Sequence, residues 1–141
     1  MTRAMLIFGL LFTPAAAHAA DTVRPGYWEA TSKVLFPLQS SKTEPRCVTA
    51  REVTKFISCY INHHYTCVCP EQSYANGEIS FKGQCVDNKG QTATISGRGT
   101  YTETTLSMTA DVAARWHGLP ISIHATTDAH RIGDVCPADA K

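Results

Sequence analysis

The stretch CVCPEQSYANGEISFKGQC, residues 67–85, decides the fold class. At its centre Asn76 and Gly77 both tolerate the positive φ of a type I′ turn, and polar and apolar residues alternate after them. This reads as a β-hairpin with strands running back to about Glu71 and onward to about Cys85. A two-residue turn here sets Cys85 opposite Val68. Pro70 cannot donate to a ladder and Gly83 falls nearly opposite it. A bulge at that level would slip the register by one and bring a cysteine level with Cys85.

Toward the C-terminus the β pattern continues. Asp87 to Gly90 forms the next turn, followed by a Thr-rich strand from Gln91 to about Tyr101, in which Gly97-Arg98-Gly99 reads as a bulge or bend. Leu106, Met108, Ala110 and Val112 then alternate with polar residues, as a strand with one buried face should. Arg115 to Pro120 reads as a loop, and Ile121, Ile123 and Ala125 open a last strand toward Ile132. Toward the N-terminus, Trp28, Ala30, Ser32, Val34 and Phe36 share one face of a strand that Pro25-Gly26 opens. The polar run from Pro37 to Pro45 reads as a loop. Thr49 and Glu52 have the spacing of a capping box, and Val53, Phe56 and Ile57 make one apolar stripe, so a short helix is predicted over Ala50 to Ile57. The fold class is therefore all-β with one short helix. The expected architecture is a single domain over residues 20–141, an antiparallel meander forming a curved sheet or partly closed barrel.

Residues 1–19 have the form of a secretory signal peptide. Arg3 supplies the charge, Met5 to Phe12 the apolar run, and Ala17-His18-Ala19 a cleavage pattern, with the mature chain starting near Ala20. The apolar run is about half of the ~20 residues a membrane-crossing helix needs, and no cysteine follows it to accept a lipid. The expected location is the periplasm or outside the cell, without a stable membrane anchor. Thirteen basic residues stand against twelve acidic ones, and Arg3 leaves with the leader, so the mature chain is neutral with its histidines uncharged. Charges are scattered singly, which argues against nucleic acid as a partner. The six cysteines (Cys47, Cys59, Cys67, Cys69, Cys85 and Cys136) all follow the leader and read as a disulfide framework, with the pairing left open.

Pro25-Gly26-Tyr27-Trp28-Glu29 after a signal peptide, Cys47-Val48-Thr49 some twenty residues later, Cys85 closing a central hairpin and Gly133-Asp134-Val135-Cys136 near the end form a pattern. It resembles the exported bacterial domain of unknown function 3617 family. The resemblance spans nearly all of the mature chain and implies a periplasmic β-rich fold with no established activity. It further implies a Cys47–Cys136 bridge, Cys85 paired with Cys67 or Cys69, and Cys59 with whichever of those two remains.

The local constellation with chemical potential is the segment from His63 and His64 to Cys67 and Cys69. Two imidazoles and two thiols can ligate Zn²⁺ or Cu(I) when the thiols are reduced, and Cys67-Val68-Cys69 is a candidate redox pair. An oxidising compartment opposes both. No nucleophile signature and no Gly-rich phosphate loop is present, so no catalytic residue and no cofactor is assigned. Asp111 with His117 and Asp128 with His130 are candidate neighbours in space, read as surface links. Trp28 and Trp116 read as core or sheet-edge aromatics. Two functions follow. The first is a non-catalytic exported domain that binds an apolar small molecule or an envelope partner protein on its sheet. The second is a thiol-redox or metal-binding protein acting through His63 to Cys69.

Overall fold

The computed structural model describes residues 21–60 and 64–139; the signal-peptide reading and His63 fall outside them, as does the side chain of Trp116. Seven strands form one open antiparallel sheet: Gly26–Phe36 (β1), Ser40–Val48 (β2), Tyr65–Ala75 (β3), Glu78–Asp87 (β4), Thr92–Tyr101 (β5), Thr105–Trp116 (β6) and Leu119–Gly133 (β7). One short helix, Val53–Ile57 (α1), lies between β2 and β3. The spatial order is β2-β1-β7-β6-β5-β4-β3. From β3 to β7 the sheet is a meander, but β1 joins at the far end beside β7, so the first and last strands are neighbours.

The central hairpin turns at Asn76 (φ 55°) and Gly77 (φ 75°), with Ala75 facing Glu78. Between Val68 and Glu71 the register shifts, so that Cys67 faces Cys85. The bulge falls at Pro70, whose ring nitrogen has no proton for the ladder. Two loops of the sequence reading are corrected. Ser40–Val48 is a strand, paired with β1 from Gly26 against Val48 to Val34 against Ser40. Its polar composition suits an edge strand, and Pro45 is tolerated because only one side of β2 carries a neighbour. Arg115 to Pro120 is not a loop but the tight end of the β6–β7 hairpin, with positive φ at His117 (50°) and Gly118 (80°). Gly97-Arg98-Gly99 makes no bulge, since the β4–β5 and β5–β6 registers run unbroken through it. Gly97 instead leaves room for the Phe81 ring, whose edge lies 2.3 Å from where a Cβ would stand. The helix is also shorter than predicted. Glu52 reaches back to the Thr49 amide (3.1 Å), but the Thr49 hydroxyl donates to the Glu52 carboxylate (2.9 Å) rather than capping the helix, and residues 50–52 form a turn.

One face of the sheet carries the core. Trp28 and Ala30 of β1, Ala129 of β7, Leu106 of β6, Tyr101 and Ile95 of β5, and Ile79, Phe81 and Cys85 of β4 are buried there, with Val53 and Ile57 of α1 on top. Trp28 is fully buried, donates its indole N–H to the Arg24 carbonyl (3.0 Å), and meets the Phe56 ring edge-on at 5.2 Å. The other face is a lattice of Ser, Thr and charged side chains, with cross-strand contacts such as Thr31 to Thr43 (2.8 Å) and Ser107 to Asp128 (2.7 Å).

The β1–β7 junction closes the architecture. Gly26 has φ +142°, and a Cβ there would stand 2.4 Å from the Gly133 carbonyl oxygen and 2.6 Å from the Arg131 guanidinium. Arg131 uses that space to donate two hydrogen bonds to the Pro25 carbonyl (2.9 and 2.7 Å) and one to Asp134 (2.6 Å). The Cys47–Cys136 disulfide then ties β2 to the segment after β7. Cys59–Cys69 anchors the crossover segment to β3, and Cys67–Cys85 cross-links β3 to β4.

Two outcomes follow. Gly26→Ala meets both a strained φ and occupied space, and is expected to destabilise the fold by ~2 to 4 kcal/mol in urea denaturation. The loops closed by Cys47–Cys136 and Cys59–Cys69 span 89 and 10 residues. On loop-closure entropy, replacing the first pair by serine should cost ~4 to 5 kcal/mol and the second ~3 kcal/mol. The reverse ranking by chemical denaturation would contradict this.

Candidate functional site

The two cysteines of the His63–Cys69 segment do not bridge each other. Cys67 is held by Cys85 and Cys69 by Cys59, so neither offers a thiolate in this oxidised state. His64 is exposed at the entrance to β3. Among the described residues no three or more His, Cys, Asp or Glu side chains are grouped to hold a metal ion. The acid–histidine pairs also differ from the sequence reading. Strand register puts Asp111 against His124 (2.6 Å), with His117 out at the hairpin tip, and Asp128 against Ser107, while His130 faces Glu29 at 3.8 Å. All three contacts lie on the polar face as exposed links. Trp28 belongs to the core.

The site with chemical content lies on the other face, beside α1. There the chain runs from the end of β2 across the sheet to the start of β3, leaving a cleft of about 410 Å³ over β1, β2, β6 and β7. Met108 and the buried Ala30 and Leu106 lie at the floor together with the hydroxyls of Ser32 and Thr127, and the Phe56 ring makes a wall. Lys42, Glu44 and Arg46 line its side because alternate residues of β2 share one face. Lys55 of α1 and Tyr60 complete the mouth. Lys42 pairs with Glu44. Arg46 stands 5.9 Å from the Phe56 ring centroid and Lys55 stands 4.6 Å from that of Tyr60. Both are cation–π geometries that hold charge at an apolar surface. Three cations and one carboxylate thus stand around a floor of mixed polar and apolar side chains.

The same face continues past the cleft. Ala110 and Val112 of β6 and Ile121, Ile123 and Ala125 of β7 follow in register and stay half-buried. Sequence reading missed Lys42, Glu44 and Arg46 because their segment looked like a loop. The readable signal was their two-residue spacing, which is that of a strand face.

Near the cleft, Glu52 is held below the usual carboxylate range. Hydrogen bonds from the Thr49 amide and hydroxyl dominate, and the charges of Arg46 and Lys55 add to them. Asp134 is lowered likewise by the hydrogen bond from Arg131 and its charge.

These features define a class: an open single-sheet all-β domain, stapled by three disulfides, with a cation-rimmed cleft beside the short helix α1. Residues 23–136 match the family described as Protein of unknown function (DUF3617), and the chain belongs to that family. No curated protein and no solved structure matches the chain. The match spans the β1–β7 junction, so Pro25-Gly26, Trp28, Cys47 and Gly133-Asp134 all lie within the matched residues.

A carboxylate whose folded pKa lies below its unfolded value contributes stability that is complete above the unfolded value and lost as pH falls through the folded one. Wild type should therefore lose more stability than Glu52→Gln between about pH 5 and pH 2.5, read by chemical denaturation across that window. Equal losses in the two proteins would show that Glu52 contributes nothing.

Proposed function

We propose that the mature chain, from about Ala20, is an exported non-catalytic binding protein that holds a single-chain anionic amphiphile, such as a long-chain carboxylate, in the cleft beside α1. The observation that carries the reading is the combination of the Met108 and Phe56 side chains inside the cleft with Arg46 and Lys55 at its mouth. A cleft of about 410 Å³ falls within the ~300 to 1,000 Å³ usual for small-molecule sites. An alkyl chain gains ~0.8 kcal/mol for each methylene it buries there, and the carboxylate meets guanidinium and ammonium groups at the rim. The half-buried face formed by Val112, Ile121 and Ile123 gives a longer chain room to extend. Export is supported by the leader pattern of residues 1–19, and three disulfides are compatible with an extracytoplasmic location.

The test is displacement of an environment-sensitive fluorescent fatty acid by dodecanoate. Binding should saturate at one site. Met108→Glu and Arg46→Glu should each weaken it about tenfold or more, a change of ~1.4 kcal/mol, with thermal unfolding checked in parallel. Dodecanol should bind more weakly than dodecanoate. Equal affinity for the two, or no saturable binding, would refute the reading.

A further inference from the structure

The polar face of the sheet carries one transverse row of side chains that the cleft does not use. Register sets Phe36 of β1 against His124 of β7, His124 against Asp111 of β6, Asp111 against Ser96 of β5, and Ser96 against Lys82 of β4. Directly opposed residues share a face, with Cβ atoms about 4.5 to 5.5 Å apart. Two-residue alternation puts Phe36 on the face of Trp28 and Ala30, but the register shift between Val34 and Phe36 moves it to the polar face. There the ring is 58% exposed and lines a shallow groove of about 580 Å³ with Asp111, His124, Thr94, Ser96 and Ser122.

His124 is oriented within this row, its Nδ1 lying 2.6 Å from an Asp111 oxygen. A carboxylate only accepts, so Nδ1 donates, and Nε2 of the uncharged ring is left as an acceptor. The second Asp111 oxygen takes no hydrogen bond among the described residues, and the His124 and Asp111 side chains keep 43% and 69% of their surface exposed. An aromatic face, two unused acceptors and three hydroxyls therefore share one groove. A neighbouring depression shares Lys82, Ser96 and Asp111 with it and continues over Ser80, Arg98 and Thr109 to Glu71. Charges along the two balance, with Lys82 and Arg98 against Glu71 and Asp111.

We propose that this groove binds a neutral oligosaccharide, with one pyranose lying on the Phe36 ring while its hydroxyls reach Asp111, His124 and Ser122. A pyranose presents an apolar C–H face to an aromatic ring, and its hydroxyls donate to the imidazole and carboxylate acceptors. Balanced charge along the groove gives an ionic ligand no net attraction. The continuation over Ser80, Arg98 and Thr109 suits a chain of sugars rather than one. Exposed hydrogen bonds replace bonds to water, so affinity is modest and the ring supplies a large share of it. The groove lies on the opposite face from the cleft, and the proposal stands whether or not the cleft holds an amphiphile.

The experiment is a chemical-shift titration of the labelled protein with maltotriose and triacetylchitotriose, both neutral, and with trigalacturonate, which is anionic. At least one neutral trisaccharide should shift the Phe36 ring and His124 imidazole signals to saturation at one site. Phe36→Ala should weaken that binding about fivefold or more through the lost ring face. Asp111→Asn, which exchanges an acceptor oxygen for a donor amide, should weaken it about tenfold. Both variants should keep the unfolding temperature and the dodecanoate displacement of wild type. Absence of saturable shifts with both neutral probes overturns the proposal, as does undiminished binding by Phe36→Ala. Tighter binding of trigalacturonate at the same residues would overturn it too, assigning the groove to an anion.

Discussion

Everything in this sheet depends on the close approach of β1 to β7. The chain reaches its last strand about a hundred residues after its first, and the two meet where Gly26 passes the Gly133 carbonyl so closely that no side chain fits at Gly26. Arg131 fills the space that Gly26 leaves open and binds the Pro25 carbonyl with two donors, so the entry to β1 is set against β7 by hydrogen bonds rather than by packing alone. Cys47–Cys136 secures the same corner from the β2 side. Without this junction β1 and β2 would form a separate hairpin, and a two-stranded hairpin is at best marginal in water. Trp28 would lose its floor, and the cleft beside α1 would lose two of its four strands.

The local part of the architecture was legible. The Asn76-Gly77 turn works through the conformational preferences of two residues, and the alternation of Leu106, Met108, Ala110 and Val112 reports one buried face directly. Less local features were not. β2 is polar because it is an edge, and composition alone cannot separate an edge strand from a loop. The β6–β7 turn was hidden because His117, not glycine or asparagine, takes the first positive φ. Acid–histidine contacts depend on register across strands, which is why Asp111 meets His124 and not the sequence-nearer His117. The glycines of Gly97-Arg98-Gly99 looked like a bend because sequence shows flexibility but not the Phe81 ring that needs the space.

The cleft was invisible for the same reason as β2. Its cations sit on the strand that looked like a loop, and its floor comes from β1 and β6, which the sequence does not bring together. The cysteines mark the framework that supports it. Cys59–Cys69 ties the crossover to β3, and that crossover carries Lys55, Phe56 and Tyr60 over the sheet. The Cys59–Cys69 bridge fixes to β3 the chain just after Lys55, Phe56 and Ser58.

The most direct test is an isotope-filtered NOE experiment on labelled protein with unlabelled dodecanoate. The account predicts contacts from the alkyl chain to the Met108 methyl and to Ala30 and Leu106, with chemical-shift changes in the Arg46 side chain. Contacts confined to the polar face, or none to Met108, would contradict it.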